Sequence, residues 1–203
     1  MSTGLITESQ INMTKLTIIG LGVIGGSIAA AIKKYHPSCA VIGCDKNSRT
    51  LEIALKMKLI NQGVEDIKEA IFSSDIILIA TSISGLKVVL STLAPHIKRD
   101  QIITDVCSVK SSVIDTARKI LKEHFSQFVP GHPLAGSEKI GIEGIDENLF
   151  INKKIVLTPC KETDDTAVKK VTGLWQSLQA QVSIMDPEAH DKILSLTSHL
   201  PHV

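Results

Sequence analysis

The chain has 203 residues, 43% of them hydrophobic, which is enough for one α/β core and a fragment of a second unit. Its 22 Lys and Arg residues nearly balance its 21 Asp and Glu residues, so the formal charge of +1 excludes nucleic acids and anionic membranes as partners attracted by net charge. No apolar run resembles a signal peptide or a membrane span, and the four cysteines lack the close spacing of metal sites and disulfide frameworks, so we expect a cytoplasmic protein.

Short runs rich in β-branched residues alternate with longer amphipathic segments along the chain. This alternation predicts parallel strands that are buried on both faces and joined by crossover helices. Asn47 is predicted to cap the second of these helices. The predicted strands are residues 16–20, 40–44, 75–80, 101–106, 127–129, 155–158 and 182–185, and the predicted helices are residues 25–35, 48–58, 85–93, 109–124 and 164–179.

The character of the sequence changes at Asp186 and Pro187, where a new helix is predicted to begin. Asp is a good N-cap, and Pro suits the first helical position. The apolar stripe of this helix consists of Ala189, Ile193, Leu194, Leu196 and Leu200. We therefore expect a doubly wound, mostly parallel α/β sheet of the Rossmann type in a domain at residues 14–185. Residues 186–203 would be the first helix of an all-α domain whose remainder is absent.

A glycine-rich segment, GLGVIGG, follows the first predicted strand and opens the first helix, which is the context of a dinucleotide-binding loop. The first glycine permits a tight turn, the second lets the backbone approach a pyrophosphate, and the third lets helix and strand pack closely. The helix N-terminus would face the phosphate charge. The candidate cofactor-binding residues of this loop are Gly20, Gly22, Val23, Ile24 and Gly25.

Asp45 ends the second predicted strand, about 20 residues beyond the last glycine of the motif. A carboxylate at this position can accept hydrogen bonds from the adenosine ribose of the cofactor, and it would repel the 2′-phosphate of NADP. The sequence therefore predicts NAD as the cofactor, although the neighbouring Lys46 and Arg49 leave NADP as an alternative.

Three further segments carry polar residues suited to chemistry: DVCSVK from Asp105, GHPLAGSEK from Gly131 and TSHLPH from Thr197. The first two follow predicted strands, where ligands of open α/β sheets bind. Together with the glycine loop, these segments resemble the prephenate and arogenate dehydrogenase family from about Lys15 to the last residue. The combination of GHPLAGSEK and SHLPH is much more specific than any single motif.

The resemblance implies NAD-dependent oxidation of prephenate with loss of its ring carboxylate, giving 4-hydroxyphenylpyruvate. It makes His132 the catalytic histidine that helps to remove the proton of the ring hydroxyl, and Ser108 the serine that contacts both this histidine and the substrate. The residue types suit that chemistry, because a neutral imidazole accepts a proton near neutral pH and a hydroxyl partner can fix its tautomer. Ser108 is also a possible cap of the following helix.

The resemblance also implies substrate contacts from Ser137, Glu138, His199 and His202. In the family, a helical C-terminal domain completes the pocket with an arginine and forms a homodimer, and we expect that domain to be missing after residue 203. We expect Lys110 and Lys139 to be flexible, solvated substitutes for such a cation, and Cys107 to be a packed thiol. His190 and Asp191 could support the pocket from behind. The spacing of the histidines and cysteines predicts no metal site.

Other functions fit part of this pattern. Arogenate, the aminated analogue of prephenate, is an alternative substrate that these residues do not distinguish. A β-hydroxyacid dehydrogenase would leave the GHPLAGSEK segment unexplained and would need a lysine in a following helical domain. A non-catalytic NAD-binding module would need the glycine loop but neither His132 nor Ser108.

Overall fold

Six parallel strands form the main sheet of the computed structural model, which describes residues 13–136 and 141–198. Strand β4 is buried along its whole length, as expected for a strand covered on both faces. The order across the sheet is β3-β2-β1-β4-β5-β6, and its reversal between β1 and β4 confirms the predicted doubly wound fold. The strands are β1 (Lys15–Ile19), β2 (Ala40–Cys44), β3 (Gln62–Val64), β4 (Ile76–Ile79), β5 (Ile102–Asp105) and β6 (Phe128–Val129).

Helices cover both faces of this sheet, and the sheet separates the core into two apolar clusters. Helices α1, α2 and α6 pack on one face, and α3, α4 and α5 pack on the other. Asn47 accepts hydrogen bonds from the amides of Arg49 and Thr50, so the predicted cap is confirmed. In the described ranges, no helix is both long and apolar enough to cross a bilayer. The helices are α1 (Val23–Tyr35), α2 (Ser48–Lys56), α3 (Ile67–Ile71), α4 (Ile83–Leu93), α5 (Ser111–Leu121) and α6 (Asp165–Ser177).

The sequence predicted one sheet that continues to residue 185, but the main sheet ends at β6. A separate sheet contains the three remaining strands, β7 (Gly131–Pro133), β8 (Lys154–Leu157) and β9 (Gln181–Ile184). In this sheet, β7 runs antiparallel to β8. The break falls at Pro130, which has no amide to continue the ladder beside β5. The carbonyl of Pro130 instead accepts a hydrogen bond from the Thr158 amide just after β8.

The last helix, α7 (Pro187–Ser198), begins where the sequence predicted, because the carboxylate of Asp186 caps its first amides. The predicted apolar stripe is nevertheless not its buried face. Ile193 and Leu196 are 48% and 64% exposed, whereas His190 is only 2% exposed. Helix α7 therefore packs through a polar residue, and the stripe residue Leu200 lies outside the described ranges.

Candidate active site

The glycine loop between β1 and α1 has the geometry that its sequence predicted. Gly20 has a φ of +95°, and a Cβ atom there would lie 2.6 Å from the Ala80 carbonyl oxygen. A Cβ atom on Gly25 would lie 2.0 Å from the Gly20 oxygen, so only glycine permits this close packing. A Cβ atom on Gly22 would meet nothing within 4 Å. Gly22 therefore faces open space, through which a ligand can approach the backbone.

Asp45 lies beside this loop, directly after β2. Its Oδ2 accepts a hydrogen bond from the Leu21 amide at 2.9 Å, and its Oδ1 accepts one from the Asn47 amide at 3.0 Å. The carboxylate thus holds the glycine loop against the end of β2. Each oxygen keeps a further lone pair, so the same carboxylate can accept additional donors from a ligand.

A cleft of about 530 Å³ extends from the glycine loop across the carboxyl ends of β4 and β5 to β7. This is the edge of the sheet, beside the reversal of strand order, at which open α/β proteins bind their ligands. Thr81 and Ser82 also line this cleft, a contribution that the sequence did not reveal although both follow a predicted central strand. The lining residues are Gly22, Val23, Ile24, Ala80, Thr81, Ser82, Ile83, Val106, Cys107, Ser108, His132, Pro133 and Ala135.

A second cleft, of about 400 Å³, lies between the β5–α5 loop and α7. Ser108 and His132 line both clefts, so the two spaces meet at these side chains. The structure therefore brings together the two residues that the sequence selected as the chemical centre. The other residues that line the second cleft are Val109, Asp191, Leu194 and Ser195.

Among the described residues, the His132 ring forms a hydrogen bond to His190 of α7, and none to the hydroxyl of Ser108, the residue expected to contact it. His132 Nδ1 lies 3.0 Å from His190 Nε2, and His190 Nδ1 lies 2.9 Å from an oxygen of Asp191. Burial, together with the nearby His190 and Lys110, lowers the pKa of His132 from its ordinary 6.5 to about 4, although Asp105 and Asp191 oppose the shift. The His132 ring is therefore neutral near pH 7 and able to accept a proton.

Asp191 joins α7 to the start of α5. Its two oxygens accept hydrogen bonds from the amides of Lys110 and Ser111, at 2.9 and 2.8 Å. Burial alone would raise the pKa of Asp191, but the hydrogen bonds from Ser111, His190 and Lys110 outweigh it and hold the pKa well below its usual range. The cap of α5 is therefore Asp191, and the suggestion that Ser108 caps this helix was wrong.

The expectation that Lys110 is a flexible, solvated cation was also wrong. Its side chain is fully buried, and its ammonium donates to a carboxylate oxygen of Asp105 and to the carbonyl of Gly131, both at 2.7 Å. Cys107 is a packed thiol, as predicted, because its side chain is buried. This burial raises the pKa of the thiol to about 12. Among the residues that the structure describes, no group of His, Cys, Asp and Glu is arranged to hold a metal ion.

Four of the predicted site residues cannot be placed in this arrangement. Ser137, Glu138, His199 and His202 lie outside the described residues, and so does Lys139. The sequence suggested that His190 supports the pocket but did not specify its partner, and the structure places its ring directly against His132. The signal in the sequence was a histidine followed by an aspartate near the start of a predicted helix.

Comparison with known proteins identifies the family. The sequence profile described as "Prephenate dehydrogenase, nucleotide-binding domain" matches residues 28–184. The chain is 40% identical over 195 residues to the prephenate dehydrogenase of Bacillus subtilis (strain 168), covering 95% of this chain and 52% of the relative. It is 37% identical over 188 residues to the cyclohexadienyl dehydrogenase of Zymomonas mobilis, covering 93% and 64%.

Solved structures agree with this assignment. Prephenate dehydrogenase from A. aeolicus, in complex with hydroxyphenyl propionate and NAD+, superposes with a TM-score of 0.86 at 31% identity, over 94% of this chain and 66% of that one. Synechocystis arogenate dehydrogenase superposes with a TM-score of 0.84 at 32% identity, over 92% and 65%. The chain thus spans about half to two thirds of the length of these relatives. On the profile, the sequence identity and the fold, the chain belongs to the prephenate dehydrogenase family.

Proposed function

We propose that this chain is the NAD-binding and acid-base part of an enzyme that oxidises prephenate to 4-hydroxyphenylpyruvate, with loss of the ring carboxylate as carbon dioxide. The observation that carries the proposal is the meeting of the two clefts at Ser108 and His132. A cofactor in one cleft and a substrate in the other would meet beside a neutral imidazole, as dehydrogenation of an alcohol requires. The names of the relatives and the family of the chain support this activity.

The larger cleft would hold the successive parts of NAD along the edge of the sheet. The open backbone at Gly22, with Val23 and Ile24 at the start of α1, would hold the pyrophosphate. The carboxylate of Asp45 would accept hydrogen bonds from the hydroxyl groups of the adenosine ribose. The rest of the cofactor would extend past the ends of β4 and β5 towards His132. When bound, NAD supplies the hydride acceptor of the reaction.

His132 is the proposed base. Oxidation of the ring alcohol transfers a hydride from the ring carbon to NAD and moves the proton of the hydroxyl group to a base, and departure of carbon dioxide leaves an aromatic phenolate, which takes the proton back to give 4-hydroxyphenylpyruvate. The neutral ring of His132 takes the hydroxyl proton, while Ser108, on the same cleft walls, contacts the substrate. Since aromatisation drives the reaction, the main tasks of the protein are to position the ring and to keep His132 unprotonated.

The two carboxylates of prephenate need partners that the described residues do not supply. None of the described residues that line the smaller cleft carries a fixed positive charge, and Asp191 adds a negative one. The ammonium of Lys110 is buried and paired. We therefore propose that cationic groups outside the described part of the chain bind the carboxylates, including the arginine that the family resemblance implies.

The remaining sequence expectations are part of the same proposal. Residues 14–185 would be the dinucleotide-binding domain, and residues 186–203 would open a helical domain through which the enzyme forms a homodimer. Ser137, Glu138, His199 and His202 would contact the substrate. The enzyme would act in the cytoplasm, in tyrosine biosynthesis.

Arogenate is the second candidate substrate. The similarity to a cyclohexadienyl dehydrogenase and to an arogenate dehydrogenase favours testing it beside prephenate. A non-catalytic NAD-binding module is less consistent with the site, because such a module would have no need for a buried partner behind His132.

The proposal is tested by measuring binding and turnover separately. Calorimetry should show NAD binding to residues 1–203, since the glycine loop and Asp45 lie in this chain. NADH absorbance should show negligible oxidation of prephenate or arogenate by these residues alone. A form that is extended by the helical C-terminal domain should show clear oxidation. Failure to bind NAD would contradict the cofactor assignment. Rapid turnover by residues 1–203 would show that the carboxylate partners lie within this chain.

A further inference from the structure

Three side chains, His132, His190 and Asp191, form a continuous hydrogen-bonded series beside the smaller cleft, which the first and the last of them line. The rings of His132 and His190 meet edge to face, with centroids 5.2 Å apart and an interplanar angle of 77°. His190 is 2% exposed, and its other ring nitrogen lies 2.9 Å from Asp191. The series therefore runs from the cleft wall to the capped end of α5.

The order of donors and acceptors in this series follows from the chemistry of its end. An ionised carboxylate only accepts hydrogen bonds, and Asp191 is kept ionised by the amides of Lys110 and Ser111. A protonated His190 would donate from both ring nitrogens; in the neutral ring the Nδ1 atom carries the proton, which leaves the Nε2 atom as an acceptor. The Nδ1 atom of His132 must in turn carry a proton in order to donate to His190.

We infer that His190 is a positioning residue that holds the proton of His132 on Nδ1, so that Nε2 is the nitrogen available to the substrate. This inference rests on the proposed function for its catalytic meaning, but the tautomer itself is a property of the chain. Asp191 orients His190, and its hydrogen bonds to the start of α5 fix the position of the series.

The placement of His190 supports a specific role. Helix α7 exposes Ile193 and Leu196 to solvent and buries a polar ring in their place. Packing alone would have favoured an apolar side chain at this position, since a buried imidazole needs partners for both nitrogens. Both partners are present, one on β7 and one on α7. Partners of this kind behind a reactive histidine fix its tautomer and ring orientation.

The test reads the tautomer directly. Nitrogen-15 NMR of histidine-labelled residues 1–203 at neutral pH should show a protonated Nδ1 and an unprotonated Nε2 for His132. A His190→Leu variant should give a mixture of tautomers. A His190→Gln variant, which retains an amide oxygen as acceptor, should preserve the wild-type tautomer. His124→Gln is a matched control, because His124 lies beyond the C-terminal end of α5, away from His132, and its ring forms a hydrogen bond with Gln127.

Wild-type His132 with its proton on Nε2 would overturn the inference, even if no variant folds. An unchanged tautomer in folded His190→Leu would overturn it too. In a form extended by the helical C-terminal domain, His190→Leu should remove part of the acid-base contribution, lowering kcat by about 10- to 100-fold with the KM for NAD unchanged, and His190→Gln should retain most of kcat. If the tautomer is as inferred but the wild-type enzyme oxidises neither substrate, the proposed function fails and the positioning role stands.

Discussion

Asp105 and Lys110 bracket Gly131 from two sides. Asp105 accepts a hydrogen bond from the Gly131 amide at 3.2 Å, and Lys110 donates one to the Gly131 carbonyl at 2.7 Å. The two charged side chains also pair with each other at 2.7 Å without exposure to solvent. Because Ser108 lies between them in sequence and His132 follows Gly131, this contact fixes the loop of one site residue against the strand of the other.

Replacing Lys110 with Met should destabilise the chain strongly. The change would leave the Asp105 carboxylate buried without its countercharge, a loss that typically costs on the order of 3–5 kcal/mol. Chemical denaturation of residues 1–203 measures this difference. Lys119→Met is the matched control, because Lys119 is exposed on α5 and its loss should change the free energy of unfolding by less than about 0.5 kcal/mol. Equal effects of the two changes would contradict the structural role of Lys110.

Two alanine substitutions in the glycine loop should separate folding from cofactor binding. Gly25→Ala places a Cβ atom 2.0 Å from a backbone oxygen and should destabilise the fold by about 3 kcal/mol or more. Gly22→Ala meets no atom within 4 Å and should fold normally, yet weaken NAD binding by about tenfold or more. Thermal unfolding and calorimetry distinguish the two outcomes. Wild-type NAD affinity in Gly22→Ala would place the pyrophosphate elsewhere.

Asp45 should determine the choice between NAD and NADP. Calorimetry on the wild-type chain should show tighter binding of NAD. Asp45→Ala should weaken NAD binding by about tenfold and reduce the discrimination, because it removes an acceptor to the ribose. Asp45→Asn retains an oxygen that can accept from Leu21 and tests the charge alone. Equal or tighter NADP binding by the wild-type chain would refute this role of Asp45.

The stability of the chain should fall as the pH is lowered from about 6.5 to 4. The pKa of His132 is lowered to about 4 in the folded chain, so over this interval the unfolded chain binds more protons. The stabilisation is present above the ordinary pKa of 6.5 and is lost as the pH falls through about 4. Denaturation at several pH values should show a smaller decline for His132→Asn. Parallel curves for the two proteins would show that the His132 ring is not buried in its neutral form.

The sequence was most informative about the long elements of the fold. Strands β1, β2, β4 and β5 were predicted because β-branched runs such as Ile76–Ile79 are buried on both faces. Strand β3 and helix α3 were missed, since elements of three and five residues carry no readable periodicity. Strand β7 was missed because a His-Pro pair does not resemble a strand.

The candidate site was predictable where it depends on strand ends. The glycine loop and Ser108 follow strands, His132 lies on β7 just beyond the end of β6, and the cleft at this edge of the sheet brings them together. His190 could not be assigned in this way, because its contact with His132 spans 58 residues and depends on which face of α7 is buried. Lys110 was misjudged for a similar reason, since only the fold shows that Asp105 and Gly131 surround its ammonium.

The most direct test of the central claim is the turnover of His132→Asn in the longest form of the enzyme, with NADH formation followed in the presence of prephenate. Removal of a positioned base typically lowers the rate by on the order of 100-fold or more. We expect a loss of that size with NAD affinity unchanged. The His132 ring lies at the cofactor cleft, but the residues proposed to bind the pyrophosphate and the ribose are those of the glycine loop and Asp45. Turnover close to that of the wild type would remove His132 from the mechanism.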